Sequence, residues 1–250
     1  EDCIGDKAKA ASDELKSGEI LVLENLRFHS EEEKGDTNFA KALASLGDAY
    51  VNDAFGTAHR AHASTAVIAN EFPSTKFFGL LMAKELEAID KVLKSGQKPV
   101  TAILGGSKVS TKITIIENIL PAIDNLIIGG GMAFTFIKAL GGKIGNSLVE
   151  EDKIPLALQI LEKAKEHNVQ VVLPIDVVIA DDFNNEANID EVNVYEIPEG
   201  WMGLKEKKKS QLKNNDILMN SKTILWNGPI GVFEMSNFSA GTIALGDSIE

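Results

Sequence analysis

Little in this chain can cross-link it or hold it in a membrane. Its single cysteine, Cys3, leaves no internal disulfide possible, which agrees with a reducing compartment. No apolar run approaches the ~18 residues that a membrane-spanning helix needs, and the amino terminus carries no signal-peptide pattern. The expectation is a cytoplasmic protein. Positive charge is also short: the net charge of −12 argues against nonspecific binding to nucleic acid or acidic membranes. An anionic ligand would therefore need locally placed cations. Arginine is scarcer still, since only Arg27 and Arg60 among the 25 basic residues are arginines. Lysine supplies the generic surface charge, whereas arginine's planar fork grips a carboxylate or phosphate through two parallel hydrogen bonds. Both arginines are candidates for anion recognition. Two phosphate fingerprints are missing as well. There is no GxxxxGK[ST], and GGGMAF at 129–134 lacks the last glycine of GxGxxG. A P-loop is excluded, and a dinucleotide-binding fold finds no support.

What is present is organised around residues 100–138, VTAILGGSKVSTKITIIENILPAIDNLIIGGGMAFTFIK. Apolar runs at 100–104 and 126–128 read as buried strands. Each ends in a glycine cluster and is followed by a helix-like stretch, the pattern of a parallel α/β sheet. Such sheets bind ligands at the carboxyl ends of their strands, where glycines let backbone amides approach an anion closely. Lys108 and Lys112 follow the first cluster four residues apart, so on a helix they share one face. Turn glycines beside a solvated helix face would give the same letters. Two clusters in succession with a lysine pair point instead to a phosphate or nucleotide site.

The rest of the chain repeats this alternation. Residues 6–16 read as a helix and 20–23 as a strand, which places Arg27 at a strand's carboxyl end. The stretch SEEEKGD reads as an acidic loop. A helix over 37–46, capped by Asp36 or Thr37, leads to a strand at 49–52. The following DAFGTAHRAHAS puts Arg60 beyond that strand, with His59 and His62 beside it as parts of an anion cradle. HxxH without a third ligand at recognisable spacing does not make a zinc site. A helix over 80–93 precedes the polar stretch KSGQKP, which reads as a boundary. The resulting division is 1–77, a connecting helix and linker at 78–97, and 98–250. In the last part, a helix is expected over 152–167, strands at 169–173, 177–180 and 222–226, and a loop over 181–190. The lysine-rich run 205–213 reads as a solvated helix or loop, and WNGPIGVFE as another glycine-rich strand end.

Taken together, ENLRFHSEEE, YVNDAFGTAHRAHAS, AILGGSKVSTKI, IIGGGMAFTF, SLVEEDKI, LPIDVVIADDF, GWMGL and WNGPIGVFE resemble the successive signatures of the phosphoglycerate kinase family, in order and over nearly the whole chain. The resemblance implies two Rossmann-like three-layer domains with parallel sheets, joined by a connecting helix. The implied reaction is reversible phosphoryl transfer between 1,3-bisphosphoglycerate and ADP, giving 3-phosphoglycerate and ATP with Mg2+, a step of glycolysis. By that similarity Arg27 and Arg60 belong to the triose-phosphate patch, and Lys108 matches the lysine on the moving phosphoryl group. Lys112 matches a contact to nucleotide phosphates. Gly106, Ser107, Gly130, Gly131, Leu148 and Gly203 line up with the adenine-side pocket, Asn227 and Pro229 with its other wall, and Glu234 with the acid on the ribose hydroxyls. The expected partners are small molecules, without nucleic acid or membrane, and the expected state is a monomer.

The chain also departs from the family pattern. The family's amino-terminal segment and its carboxyl-terminal GGDT loop, whose aspartate binds the metal, have no counterpart here. KEKKKSQLKNND replaces an acidic, Gly-Pro-containing continuation, and Thr111 stands where an aspartate is common. The chain, which starts at Glu1 rather than methionine, therefore reads as a fragment that holds half of one site and most of another. On that reading the complete protein is an active kinase and the stretch alone transfers phosphoryl groups poorly. The alternatives are a non-catalytic descendant that keeps nucleotide binding and, without its fingerprint, an NAD-dependent dehydrogenase.

Overall fold

The computed structural model describes residues 2–250 and divides into two compact units, 1–89 and 90–250. The division falls inside one helix. In the first unit, α1 (Asp6–Asp13) is followed by an extended segment, a 3-10 turn (Leu26–Phe28), α2 (Ser30–Lys34) and α3 (Thr37–Ala44). Two short parallel strands, β1 (Tyr50–Asn52) and β2 (Lys76–Phe78), complete it before α4 (Leu80–Ser95) begins. Its core gathers Cys3, Phe39, Ala40, Leu43, Ala63, Ile68 and Phe72.

Three local expectations fail in this unit. Residues 20–23 form no strand, because they pair with nothing among the described residues and leave Ile20 87% and Val22 86% exposed. Arg27 consequently sits in the 3-10 turn, where the Asn25 side chain accepts a hydrogen bond from its backbone N–H at 3.0 Å. The acidic SEEEKGD is not a loop. Ser30–Lys34 coils into a turn of helix closed by Gly35 in the left-handed region, and three glutamates lie in its first turn, where the helix dipole favours negative charge. By contrast, Asp36 caps α3 as expected, accepting from the Phe39 N–H at 2.8 Å.

The second unit is built on a four-stranded, wholly parallel sheet. Its strands are β3 (Val100–Leu104), β4 (Asn125–Ile128), β6 (Gln170–Val172) and β11 (Thr223–Asn227), in the order β11-β3-β4-β6. Side chains of successive residues leave opposite faces of a strand, and both faces here are apolar. Ala102, Leu104, Leu126 and Ile128 pack with Ile116 of α5 (Ile113–Ile119), Phe136 of α6 (Met132–Ala139) and Ile160 of α7 (Ile154–Glu166). Ile103, Ile127 and Val172 pack on the other side with Leu218 of α8 (Lys208–Asn220) and Leu245 of α9 (Ala240–Asp247). This is the three-layer arrangement of a parallel sheet with both faces covered. A second, antiparallel sheet joins β7 (Asp176–Ala180), β8 (Ile189–Asn193) and β10 (Met202–Glu206), while β5 (Lys143–Ile144) pairs with β9 (Glu196–Ile197). β8 occupies part of the stretch expected to be loop. Among the described residues no helix is long and apolar enough to cross a membrane.

The lysine-rich run is helical from Lys208 onward, as one of the two expected readings had it, but it is not solvated throughout. Residues 202–206 are strand, and α8 starts at Lys208, anchored where Asp176 accepts hydrogen bonds from the N–H groups of Lys209 (3.0 Å) and Ser210 (2.9 Å) and from the Ser210 hydroxyl. Those donors hold the Asp176 carboxyl below its ordinary range against the opposing effect of burial. The lysines are solvated, but Glu206, Ser210 and Asn214 among them are buried.

Candidate functional site

Three strand ends meet at the carboxyl edge of the parallel sheet, and glycine is what lets them touch. The Gly105 N–H donates to the Asn227 carbonyl at 3.0 Å, and the Gly106 N–H to the Pro229 carbonyl at 2.9 Å. The Met132 N–H donates back to the Gly106 carbonyl at 2.9 Å. A side chain at Gly105 would overlap the Pro229 carbonyl oxygen. Gly130, at φ +68°, would put a Cβ 2.8 Å from the backbone N and O of Gly106, so both its conformation and its neighbours require glycine. The loops after β11, β3 and β4 are thus packed backbone to backbone.

Beside them opens a cavity of about 570 Å³. Gly106, Ser107, Gly130, Gly131, Leu148, Gly203, Pro229 and Glu234, all singled out from the sequence, line it. Its walls are mostly apolar, with Phe134, Val177, Met202, Leu204, Ile230 and Val232 facing in. Apolar walls with a few polar groups are the usual lining of a small-molecule site. The exposed Glu234 supplies a carboxylate.

The remaining candidates of this unit lie outside the lining. Lys108 is exposed, with no ion-pair partner among the described residues, and Lys112 donates to the Asn227 side-chain oxygen. Partial burial pushes the Lys112 ammonium below its ordinary range. The two lysines do not share a helix face, because residues 108–112 form a turn and α5 begins only at Ile113. Their closeness to the strand end, and not helical periodicity, makes them candidates for phosphate contacts.

Among the lining residues that the sequence did not single out, Glu206 is the buried carboxyl. Glu206, 4% exposed, accepts a hydrogen bond from the Asn214 side-chain N–H at 2.9 Å, while its other oxygen has no partner. Burial pushes this carboxyl up to about 8, and the nearby Asp176 carboxylate adds to the effect. The signal was a glutamate at an inward position of β10, hidden by its lysine neighbours.

In the first unit a separate cavity of about 290 Å³ is lined by Arg27, Tyr50, Asn52, Asp53, His62 and Thr65, among others. Arg27 lies 3.8 Å from Glu33, and both are largely exposed. Arg60 is exposed and outside that lining. His62 does not join an open cradle: it is buried, its Nδ1 3.8 Å from Glu32. Glu32 in turn accepts from the Ser64 N–H (3.0 Å) and hydroxyl (2.5 Å), tying α2 to the segment that carries Arg60. His59 remains exposed.

Comparison with known proteins gives a consistent result. The family model for phosphoglycerate kinase matches residues 1–250. A chloroplastic phosphoglycerate kinase of Volvox carteri is 52% identical over 249 residues, covering 100% of this chain and 54% of its own. The phosphoglycerate kinase of Porphyromonas gingivalis is 49% identical over 273 residues, covering 100% of this chain and 65% of its own. Among solved structures, phosphoglycerate kinase from Pyrococcus horikoshii aligns over 99% of this chain and 64% of its own, with a TM-score of 0.83 at 31% identity. That from Coxiella burnetii covers 90% and 58%, with a TM-score of 0.76 at 43% identity. The chain spans between about half and two thirds of the length of these curated relatives.

Proposed function

This chain belongs to the phosphoglycerate kinase family, and from that premise we propose that residues 90–250 bind ADP or ATP in the 570 Å³ cavity. In the full reading frame the activity is then reversible phosphoryl transfer between 1,3-bisphosphoglycerate and ADP, yielding 3-phosphoglycerate and ATP. The observation that carries this reading is the joining of three glycine strand ends to one apolar-walled cavity with two lysines beside it. Gly106, Gly130, Gly131, Leu148, Gly203 and Pro229 hold the base, with Ser107 at its edge, and Glu234 accepts from the ribose hydroxyls. Lys112, presented by Asn227, meets the nucleotide phosphates, and Lys108 the phosphoryl group in transit. Arg27 and Arg60 take the triose anion. The surroundings are cytoplasmic and the protein acts as a monomer on small molecules.

Phosphoryl transfer asks the protein mainly to align two anions, exclude water and neutralise charge that spreads over the transferring oxygens. Because the donor is an acyl phosphate and the acceptor a phosphate oxygen, no general base is needed. An exposed, unpaired ammonium such as Lys108 is free to follow that charge, whereas Lys112 is already engaged by Asn227. The Mg2+ that accompanies the nucleotide supplies further charge neutralisation. Among the described residues no group of three His, Cys or carboxylate ligands converges at this cavity.

Two outcomes test the assignments in the full reading frame. Lys108→Ala should lower kcat on the order of a hundredfold while changing the Kd for ADP less than about threefold, since its contact strengthens only as charge moves. Equal losses in both would place Lys108 in ground-state binding. Arg60→Lys keeps the charge but loses the two-point grip, and should raise the KM for 3-phosphoglycerate roughly tenfold. An unchanged KM would remove Arg60 from the site.

A further inference from the structure

The first unit holds a second constellation that phosphoryl transfer does not use. Asp2, Cys3 and His29 each present one ligand atom, and these atoms all lie within 4.8 Å of one another. Asp2 and Cys3 are consecutive residues just ahead of α1, and His29 is the residue before α2, so distant parts of the sequence converge. The convergence is fixed by packing. Cys3 is fully buried in the same apolar cluster as Phe39, and the His29 ring lies 5.2 Å from the Phe39 ring at a tilt of 40°. Asp2 Oδ1 lies 2.7 Å from His29 Nε2 and accepts from the Cys3 N–H at 2.6 Å.

We propose that Asp2, Cys3 and His29 form a binding site for a borderline-soft divalent cation of the Zn2+ class. The donor set is the argument for the class. A thiolate, an imidazole and a carboxylate together suit Zn2+ or Co2+, while Mg2+ and Ca2+ take all-oxygen sets. With metal–ligand bonds of about 2.0 to 2.3 Å, tetrahedral donors stand roughly 3.5 Å apart, which small side-chain adjustments achieve from the present spacing. The cation takes the place of the proton between His29 and Asp2, and the thiol proton leaves to solvent. Cys3 closes the inner side of the site. The side chains of Asp2 and His29 are 48% and 28% exposed, which leaves an entry path and room for water as the fourth ligand. The site is independent of the nucleotide cavity, and its test does not depend on the kinase reading.

Cys3 is the sole cysteine, so a thiolate-to-metal charge-transfer band can arise from nowhere else in the chain. Titrating the chain with Co2+ under reducing, oxygen-free conditions should give that near-ultraviolet band together with tetrahedral ligand-field bands, saturating at one equivalent and lost on adding Zn2+. His29→Gln keeps a hydrogen-bonding partner for Asp2 but no longer ligates, and should weaken Co2+ binding at least tenfold with an unchanged circular dichroism spectrum. Cys3→Ser should abolish the charge-transfer band. The proposal is overturned if no such band appears at millimolar Co2+, or if His29→Gln leaves its titration unchanged.

Discussion

Glu206→Gln should stabilise the protein at pH 8 and flatten its stability between about pH 4.5 and 8. Burial pushes the native carboxyl up to about 8 from an ordinary 4.5, and the like charge of Asp176 adds to this; the Asn214 hydrogen bond favours the carboxylate but serves only one oxygen and leaves the other unpartnered. The sign follows from proton counting. Between those two values the native state keeps a proton that the unfolded chain has lost, so stability falls as pH rises and levels off above the native value. Each pH unit of difference is worth roughly 1.4 kcal/mol, which sets an upper bound of about 5 kcal/mol on the stability lost by pH 8. Glutamine keeps the shape and the hydrogen bond with Asn214 but cannot ionise. Denaturant titrations of both proteins at pH 5 and pH 8 measure the effect. A wild-type protein as stable at pH 8 as at pH 5, with no gain from Glu206→Gln, would show that the carboxyl is ionised and solvated.

Gly105→Ala is the second change with a large expected effect. The added methyl would overlap the Pro229 carbonyl oxygen, which already accepts from the Gly106 N–H at 2.9 Å. Backbone on both sides leaves no flexible side-chain end to move aside, so the loops after β3 and β11 must separate. Overpacking of this kind costs about 3 kcal/mol. Separation also pulls Pro229 and Gly106 apart in the cavity wall, so ADP affinity should fall at least tenfold in molecules that remain folded. Thermal unfolding and calorimetric titration read the two effects. A folded variant with wild-type affinity would refute the claim that this contact shapes the cavity.

The parallel-sheet edge of the second unit was legible because its signals are local. β3 and β4 are short apolar runs ended by glycine, and their carboxyl ends fall where the runs stop. The glycines at 105–106 and 129–131 announced close backbone contact, which the structure supplies through Asn227 and Pro229. Pattern reading failed where tertiary partners decide. Residues 20–23 carry a strand-like run, but a strand exists only when something pairs with it, and here nothing among the described residues does. Lys108 and Lys112 suggested a helix face, yet α5 is delayed to Ile113 by a turn held in part by the Thr111 hydroxyl donating to the Lys108 carbonyl at 3.0 Å. In 205–213 the helix and the solvated lysines follow the composition, but lysine's dominance hid the buried Glu206 and Ser210. The strand period of β10 turns Glu206 inward regardless, and Asn214, two turns into α8, comes round to meet it.

The central claim is that the cavity beside the glycine strand ends is a nucleotide site. Calorimetric titration of ADP into the chain tests it most directly, with Gly131→Val alongside, since a side chain at Gly131 would press on Leu148 and Ser107 in the cavity wall. The account predicts saturable binding of one ADP, weakened at least tenfold in the folded variant. No ADP binding by the folded chain, or the same affinity in Gly131→Val, would contradict it.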